Sequence, residues 1–425
     1  MQEQTNTLLT LCIGLLLADF YLIKGLRFAL KKWKFSHKKA FTRIYWVISL
    51  LVSLGLIGSI RMHEGLGFRA AFLLLFFLLF FTKILFLPFM LVDDLRRFFI
   101  RRKQKAIKEQ LPIKQPKPNA IPRSEFLIKA GLLVSAVPLG ALGFGVVSGA
   151  YDYQVKRRTL YLPNLPKAFD GIRLGQISDI HSGSFYNKKA VSGGVEMLMK
   201  EKADFIFFTG DLVNIKTEEM YGYQDIFKKV KAPLGVYSSL GNHDYGDYYD
   251  WPSWEARDKN FQDMITTHKN LGWDLLMNDN RRLKVGGEEI GILGVENWGS
   301  ISKYPRRGRL DMATRNTDDL PVKLLLSHDP SHWRAQVLPN YPQIDVMFAG
   351  HTHGMQFGVQ TEYIHWSPIE YIYKEWAGFY HEGPQQLYVN VGYGFLGYPG
   401  RVGILPEITI FELKASADPS LKNRA

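Results

Sequence analysis

Cysteine is almost missing from this 425-residue chain: Cys12 stands alone inside an apolar run. No disulfide can close within the chain, which excludes the framework of a small disulfide-rich secreted domain. A basic surplus is missing where a nucleic-acid binder would need one. The formal net charge is +13, but residues 1–150 hold 22 Lys and Arg against 7 Asp and Glu, which leaves residues 151–425 near −2. The larger part of the chain therefore lacks the electrostatic footprint of nucleic-acid binding, and no nucleic-acid partner is expected. Also missing is the basic start of a cleaved signal peptide. Met1-Gln-Glu-Gln-Thr-Asn6 carries no Lys or Arg, and no small-residue cleavage site follows, so the first apolar run is expected to stay attached.

What is present in residues 1–150 is apolar length. Four stretches, 7–23, 44–60, 70–92 and 126–149, approach or exceed the roughly 20 residues that cross a hydrocarbon core, and a four-helix transmembrane region is expected. The connections differ in charge. Eight Lys and Arg from Lys24 to Arg43 surround the first and ten from Arg96 to Arg123 surround the third, whereas the second offers only Arg61 and Arg69. Cytoplasmic loops collect Lys and Arg, so the N-terminus and everything after residue 150 are expected outside. Asp19, Lys83 and Lys129 fall within spans; Lys129, and Lys83 with tilt, can snorkel, so they read as tolerated charge rather than as a pathway. Ala141, Gly145 and Gly149 recur every four residues, a pattern that suits close helix packing or a homo-oligomer. Arg123-Ser-Glu-Phe-Leu-Ile-Lys129 looks like a twin-arginine export signal that has lost its second arginine. The stretch 114–119 reads as a stiff linker and 416–425 as a polar tail.

The chemistry lies further on. Asp179-Ile-His181, Gly210-Asp211, Gly241-Asn-His-Asp244, His328 and Gly350-His-Thr-His353 occur in that order and take five of the eleven histidines. Each follows a short, β-prone, apolar segment, at 172–178, 205–208, 234–240, 322–326 and 346–348. Sites in α/β sheets form beyond the carboxyl ends of strands, so five such coincidences predict one crevice. A helix expected over 188–202 makes the first two strands a βαβ unit, and the second half repeats the theme, giving two packed sheets flanked by helices. Asp, Asn and His suit Mn, Fe, Zn or Mg, and there are enough of them for two divalent ions, with Asp211 the natural bridge. Two cations acidify a water held between them and bind the oxygens of an in-line displacement, which is phosphoester hydrolysis machinery. A lone Gly-Asp or His-x-His says little; the ordered set of five is the signal.

These blocks resemble the calcineurin-like metallophosphoesterases, whose signature runs D-x-H, GD, GNH-[DE], H, GHxH. The resemblance covers about residues 160–415 and implies a catalytic domain over 151–415. It further implies that Asp179, His181, Asp211 and His353 bind one metal, and Asp211, Asn242, His328 and His351 the other. His243 would be the proton donor or transition-state stabiliser, with Asp244 as its partner. Phe169-Asp-Gly-Ile172, Gly350-His-Thr-His-Gly-Met-Gln356, Tyr388-Val-Asn390, Arg401 and Pro406-Glu-Ile408 are similar to the bacterial membrane-anchored or exported phosphohydrolase subgroup. Met355, Asn214 and Val391 depart from that group's pattern, outside the implied ligands.

The expected protein is a hydrolase of phosphodiesters or phosphomonoesters in a bacterial inner or plasma membrane. Its site faces the periplasm or exterior, a bridging hydroxide is the nucleophile, and lipid-linked substrates are included. Two rivals stay open: a UDP-diacylglucosamine-type pyrophosphatase, which needs a cytoplasmic site, and a metal-retaining receptor or scaffold without turnover. Beyond the ligand blocks, Arg306, Arg307 and Arg309 offer forks for phosphate, although a solvated loop is the plainer reading. The aromatic stretch 366–376 suits a lipid interface as well as a core or dimer contact, and a second aromatic and glycine cluster at 393–400 is expected to wall the crevice. A cytoplasm-only and an exterior-only reporter, each fused after Ala150, test the topology: only the exterior one should be active, and the reverse would overturn the span count.

Overall fold

Leu, Phe, Ile and Ala dominate the first four elements, which are helices: α1 Gln2–Ala29, α2 Phe35–Arg61, α3 Leu66–Gln110 and α4 Glu125–Val147. The computed structural model describes residues 2–61, 66–110, 123–301, 306–361 and 363–416. It divides into two units, Met1–Phe144 and Gly145–Ala425. The expected linker at 114–119 and the tail beyond residue 416 lie outside the described residues.

All four helices contain a segment long and apolar enough to cross a membrane: Leu9–Ala29, Phe35–Gly58, Leu75–Lys105 and Glu125–Tyr151. The third outruns the expected 70–92 and stays helical to Gln110. Past the apolar part come Arg, Lys, Gln and Ala, which are good helix formers, and neither Gly nor Pro interrupts the sequence between Phe89 and Gln110. Polarity in this unit is inverted relative to a water-soluble bundle. Leu17, Phe20, Leu54 and Val137 are more than 60% exposed, while Asp19, Ser49, Lys83 and Asp93 are buried. Hydrocarbon outside the bundle accounts for both halves of that pattern.

Lys83 does not snorkel. Its Nζ lies 2.9 Å from Asp19 Oδ2 and 2.9 Å from Ser49 Oγ, and Tyr45 also donates to Asp19. With a partner carboxylate one helix away, the ammonium gains more from the bundle interior than from stretching to the interface. Lys129, 72% exposed, pairs with Glu125. Arg123 is used locally, with Nη1 3.2 Å from both Asp93 Oδ2 and Asp94 Oδ1, while the Ser124 N–H donates to Asp93 at 2.9 Å. The apparent remnant of an export signal thus ties the start of α4 to α3.

In the second unit the strands run β1 Gln154–Tyr161, β2 Arg173–Ile177, β3 Phe205–Thr209, β4 Val236–Ser239, β5 Asp274–Leu275, β6 Asp279–Val285, β7 Glu288–Gly294, β8 Lys323–Leu326, β9 Val346–Ala349, β10 Val359–Gln360, β11 His365–Trp366, β12 Gly378–Glu382, β13 Gln385–Val389 and β14 Glu407–Lys414. Two six-stranded mixed sheets result, in the orders β1-β14-β2-β3-β4-β5 and β12-β13-β9-β8-β7-β6, with β10-β11 a separate hairpin. Helix α5, Lys188–Lys200, crosses between the parallel β2 and β3 as expected. Strands β2, β3, β4, β8 and β9 match the five apolar segments, and β3, β4, β8 and β9 are buried at every position. Between the sheets one apolar cluster joins Phe205, Phe207 and Leu174 to Leu324, Leu326 and Phe348. Each such side chain stabilises the fold by about 1.5–3 kcal/mol, enough to fix the sheets and with them the loops at their ends.

Removing one member of a buried ion pair strands the other charge, at a cost of about 3–5 kcal/mol. Asp19→Leu should therefore lower the thermal stability of the detergent-solubilised chain more than the double change Asp19→Leu with Lys83→Met. Equal losses would mean the pair is not coupled.

Candidate metal centre

The five loops that follow β2, β3, β4, β8 and β9 carry all the expected ligands, so strands inside both sheets deliver them to one place. The turns are tight. Asp179, His181, Asp211, His351 and His353 all take left-handed φ between 48° and 72°. Non-glycine residues rarely hold that conformation, and it costs on the order of 1–3 kcal/mol each. Two glycines allow the loops to touch: a Cβ on Gly241 would lie 2.1 Å from Asp211 Oδ1, and one on Gly350 would lie 2.1 Å from Asp179 Oδ2.

Two groups result. Asp179, His181 and His353 present ligand atoms all within 4.8 Å of one another, and so do Asp211, His328 and His351. Asp211 faces both, its Oδ2 lying 3.1 Å from His328 Nε2 and 3.5 Å from His181 Nε2. Asn242 donates its Nδ2 to the Tyr248 hydroxyl at 2.9 Å and keeps Oδ1 buried. That Oδ1, His181 Nε2 and His353 Nε2 have no hydrogen-bond partner. Leaving a buried polar atom unsatisfied costs about 1–3 kcal/mol, and three together mark places that expect another partner. An oxygen and nitrogen donor set of this kind fits two divalent cations.

The opposite edges of the rings are fixed. His181 Nδ1 lies 3.0 Å from Asn214 Oδ1, His328 Nδ1 lies 2.7 Å from the Thr209 carbonyl, and Arg401 donates to His353 Nδ1 at 3.2 Å. His351 Nε2 is 2.8 Å from the Tyr373 hydroxyl, which donates to Asp329 Oδ2 at 3.2 Å. Such partners set ring orientation and tautomer. Burial pushes His181 well below the usual imidazole range, against the pull of Asp211. For His328 burial acts the same way, but the Asp211 carboxylate, Asp179 and the Thr209 carbonyl together raise the ring to about 10. Asp179 falls to about 2 although burial opposes this, because His353 stands beside it.

Asp244, the expected partner of His243, directs its carboxylate to backbone N–H groups. Asp244 turns back into the loop and accepts the N–H groups of Asp211 at 2.9 Å, Leu212 at 2.8 Å and Gly241 at 2.8 Å. Three converging N–H donors are a better destination for a buried carboxylate than one ring nitrogen. His243 Nδ1 lies 2.6 Å from the Asn214 carbonyl instead. Burial, then the charge of Asp211, push Asp244 up to about 7, while the N–H groups of Gly241 and Leu212 pull it down.

The arginines after residue 305 are engaged elsewhere: Arg306 with the carbonyls of Gly299 and Ser300, Arg307 with Asp247, and Arg309 with Asp311. Residues 302–305 lie outside the described ones. In the aromatic stretch, Ile369, Tyr373 and Trp376 are core, whereas Trp366, Tyr371 and Ile372 are exposed. Tyr373 and Asp329 as His351 partners were not anticipated. Asp329 adjoins His328, a spacing that could have suggested it, but nothing local singles out Tyr373.

Two families match the chain: "Probable Calcineurin-like phosphoesterase, transmembrane domain" over residues 5–150 and "Calcineurin-like phosphoesterase" over residues 172–355. The chain is similar to the uncharacterised metallophosphoesterase YkuE of Bacillus subtilis (strain 168), 27% identical over 298 residues that cover 65% of this chain and 95% of the relative. It is 26% identical over 281 residues to a Danio rerio transmembrane protein with metallophosphoesterase domain, covering 64% of this chain and 60% of that relative. The match therefore spans less than two thirds of that relative's length. The UDP-2,3-diacylglucosamine pyrophosphatase LpxG of Chlamydia trachomatis serovar D is 27% identical over 236 residues, 46% of this chain and 68% of the relative.

Asn214 holds two site histidines, one through its side chain and one through its carbonyl. Removing such a partner typically costs about 10–100-fold in metal affinity. Asn214→Ala should show a loss of that size when Mn2+ is titrated calorimetrically into the full chain in detergent. Unchanged affinity would mean that the side-chain bridge to His181 does not position the ring.

Proposed function

Because this chain belongs to the calcineurin-like phosphoesterases and carries a four-helix transmembrane domain, we propose that it is a membrane-anchored, dinuclear-metal hydrolase of phosphoric esters. The observation that carries this reading is that Asp211, a member of one three-residue group, also brings its Oδ2 within 3.5 Å of His181 in the other. Asp179, His181, Asp211 and His353 would hold one ion, and Asp211, Asn242, His328 and His351 the other. When bound, two divalent cations neutralise phosphoryl oxygens and make an attacking water acidic enough to ionise near neutral pH.

The chain's own residues do the rest. The His243 backbone N–H donates to Asp211 Oδ1 at 2.9 Å, which holds that carboxylate in place. Its ring is pinned at Nδ1 by the Asn214 carbonyl, so Nε2 is the nitrogen left to pass a proton to the leaving oxygen. The ring is half-buried, 5.0 Å from His181 and 4.5 Å from Tyr248 between centroids, at the edge of the metal groups. Asp244 is a positioning residue, since it locks the turns that carry Asp211 and Asn242.

The substrate class we favour is a lipid-linked phosphoester outside the cytoplasm of a bacterial cell. The membrane domain supports the first part, and the concentration of Lys and Arg in the first and third connections supports the second. A second reading, a nucleotide-lipid pyrophosphatase, draws on the similarity to LpxG and needs the opposite orientation.

Hydrolysis of bis(p-nitrophenyl) phosphate by the full chain in detergent, assayed with Mn2+, Zn2+ and Mg2+ in turn, tests the proposal. His243→Ala should retain bound metal and lose about 10²-fold or more in kcat, and Asp211→Asn should lose both metal and turnover. Near-normal turnover in either variant, or metal and ligand binding without hydrolysis by the unaltered chain under all three ions, would sink it.

A further inference from the structure

Just past the last candidate ligand, His353, the usual rule of burial is reversed. Met355, Phe357 and Val359 are 46%, 39% and 40% exposed, while Gln356 and Gly358 between them are buried. Phe357 and Val359 put the apolar side outward, the reverse of a strand whose open face meets water, and Met355 joins them from the left-handed turn before. The hairpin of β10 and β11 extends the same face. Val359 pairs directly with Trp366, so their side chains share a side, and the Phe357 and Trp366 rings lie 6.5 Å apart. At its tip Tyr363 is 90% exposed and Ile364 54%, and the turn that follows adds Tyr371 at 78% and Ile372 at 59%. The other side is anchored: the His365 ring lies 4.2 Å from Trp376, which packs with Ile369, Tyr373 and Ile404. The hairpin is therefore tethered on one side through the His365 ring and leaves an apolar face uncovered on the other. Water-soluble surfaces seldom carry so many large apolar side chains together, and when they do the patch usually docks onto something.

What covers it follows from its neighbours. The last turn of α4 belongs to this unit, and the Gly145 carbonyl accepts the Arg401 N–H at 3.1 Å. The next residue, Val402, pairs in parallel with Phe357, and the Gly358 N–H donates to its carbonyl at 3.0 Å. The end of the membrane-spanning helix, the 401–402 segment and the apolar strip are therefore adjacent. Gly145 and Gly149 make this possible: a Cβ on Gly145 would lie 2.6 Å from Val402 Cγ2, and one on Gly149 would meet the Arg401 carbonyl. Of the small residues at four-residue spacing, Gly145 and Gly149 meet this segment. Lys156 Nζ, which pairs with Glu407 at 2.7 Å, also reaches Gln360 Oε1 on the hairpin at 2.9 Å, and Lys374, next to Tyr373, is exposed. An apolar face with aromatics, continuous with a helix exit, suits the headgroup boundary of a bilayer.

We propose that the outward face formed by Met355, Phe357, Val359, Ile364, Trp366 and Tyr371 lies in the membrane interface beside the exit of α4, so that a membrane-resident phosphoester reaches the candidate metal centre from the lipid surface. The substrate part rests on the phosphoesterase reading; the contact with lipid does not. Cys12, the only cysteine in the chain, makes a direct measurement possible. In a Cys12→Ser background, Val359→Cys and Ile364→Cys are spin-labelled in the full chain in phosphatidylglycerol-containing nanodiscs. Lys284→Cys, at the end of the second sheet away from the ligand loops, is the aqueous control. Collisions with oxygen should exceed those with a water-soluble nickel complex at 359 and 364, and the order should reverse at 284. Nickel access at 359 and 364 equal to that at 284 would overturn the proposal. So would exclusion of both reagents with dipolar broadening, which would identify a second copy of the chain as the cover.

For the substrate part, Phe357→Ser with Trp366→Ser should cut hydrolysis of a nitrophenyl diacyl phosphodiester in vesicles by about tenfold or more, the worth of roughly one buried apolar side chain. Hydrolysis of soluble bis(p-nitrophenyl) phosphate should be unchanged. An equal change on both substrates would overturn lipid delivery. If the unaltered chain hydrolyses neither, the phosphoesterase reading falls while the label depths still decide the contact with lipid.

Discussion

The second unit depends on keeping one buried carboxylate, Asp211, within reach of histidines from three other loops. Its Oδ2 approaches His181 and His328, and its Oδ1 accepts the N–H of His243. Three neighbours crowd this one carboxylate where loops meet closely, and the backbone is left-handed at Asp179, His181, Asp211 and His351. The strain is held by buried strands on one side and on the other by Asp244, whose carboxylate gathers the N–H groups of Asp211, Leu212 and Gly241. Packing between the sheets supplies the rigidity, and the turns supply the aim.

A second set of polar side chains fixes the first. Asn214, Thr209, Tyr373 and Arg401 each hold the far nitrogen of a site histidine, and they come from three segments, Thr209 and Asn214 sharing the end of β3 and its loop. Arg401 is itself fully buried, its guanidinium satisfied by the carbonyls of Val391 and Gly394. Burial lowers its pKa to about 10, which still leaves it charged at neutral pH. A permanent cation at that place is well suited to offset the buried carboxylates around it, Asp179 among them. Within the same unit its backbone N–H also donates to the Gly145 carbonyl.

The two units solve opposite solvent problems with the same chemistry. In the second, polar atoms are buried where loops from two sheets meet, around places that suit cations. In the first, Asp19, Lys83, Tyr45 and Ser49 turn inward because hydrocarbon outside offers them no partner, and they satisfy one another. The apolar strip at 355–359 belongs by composition with the first unit and by position with the second.

The sequence alone determined the order of elements and the identity of the chemistry. Apolar length announced four membrane-spanning helices, and β-prone runs ending at Asp, Asn or His announced the strands and the candidate ligands. Both are local properties, set by hydrophobic period and residue type. Which partner a polar side chain takes is decided by distances across the fold. Asp244 adjoins His243 in sequence yet caps backbone from another loop, Lys83 meets Asp19 rather than the membrane surface, and Tyr373 reaches His351 from a stretch that reads as interface or core. Within 366–376, periodicity could not separate buried Trp376 from exposed Tyr371, because an aromatic ring suits either surrounding until packing assigns one. Tertiary structure made that assignment by packing Trp376 with Ile369, Tyr373 and Ile404, a juxtaposition that no local pattern encodes.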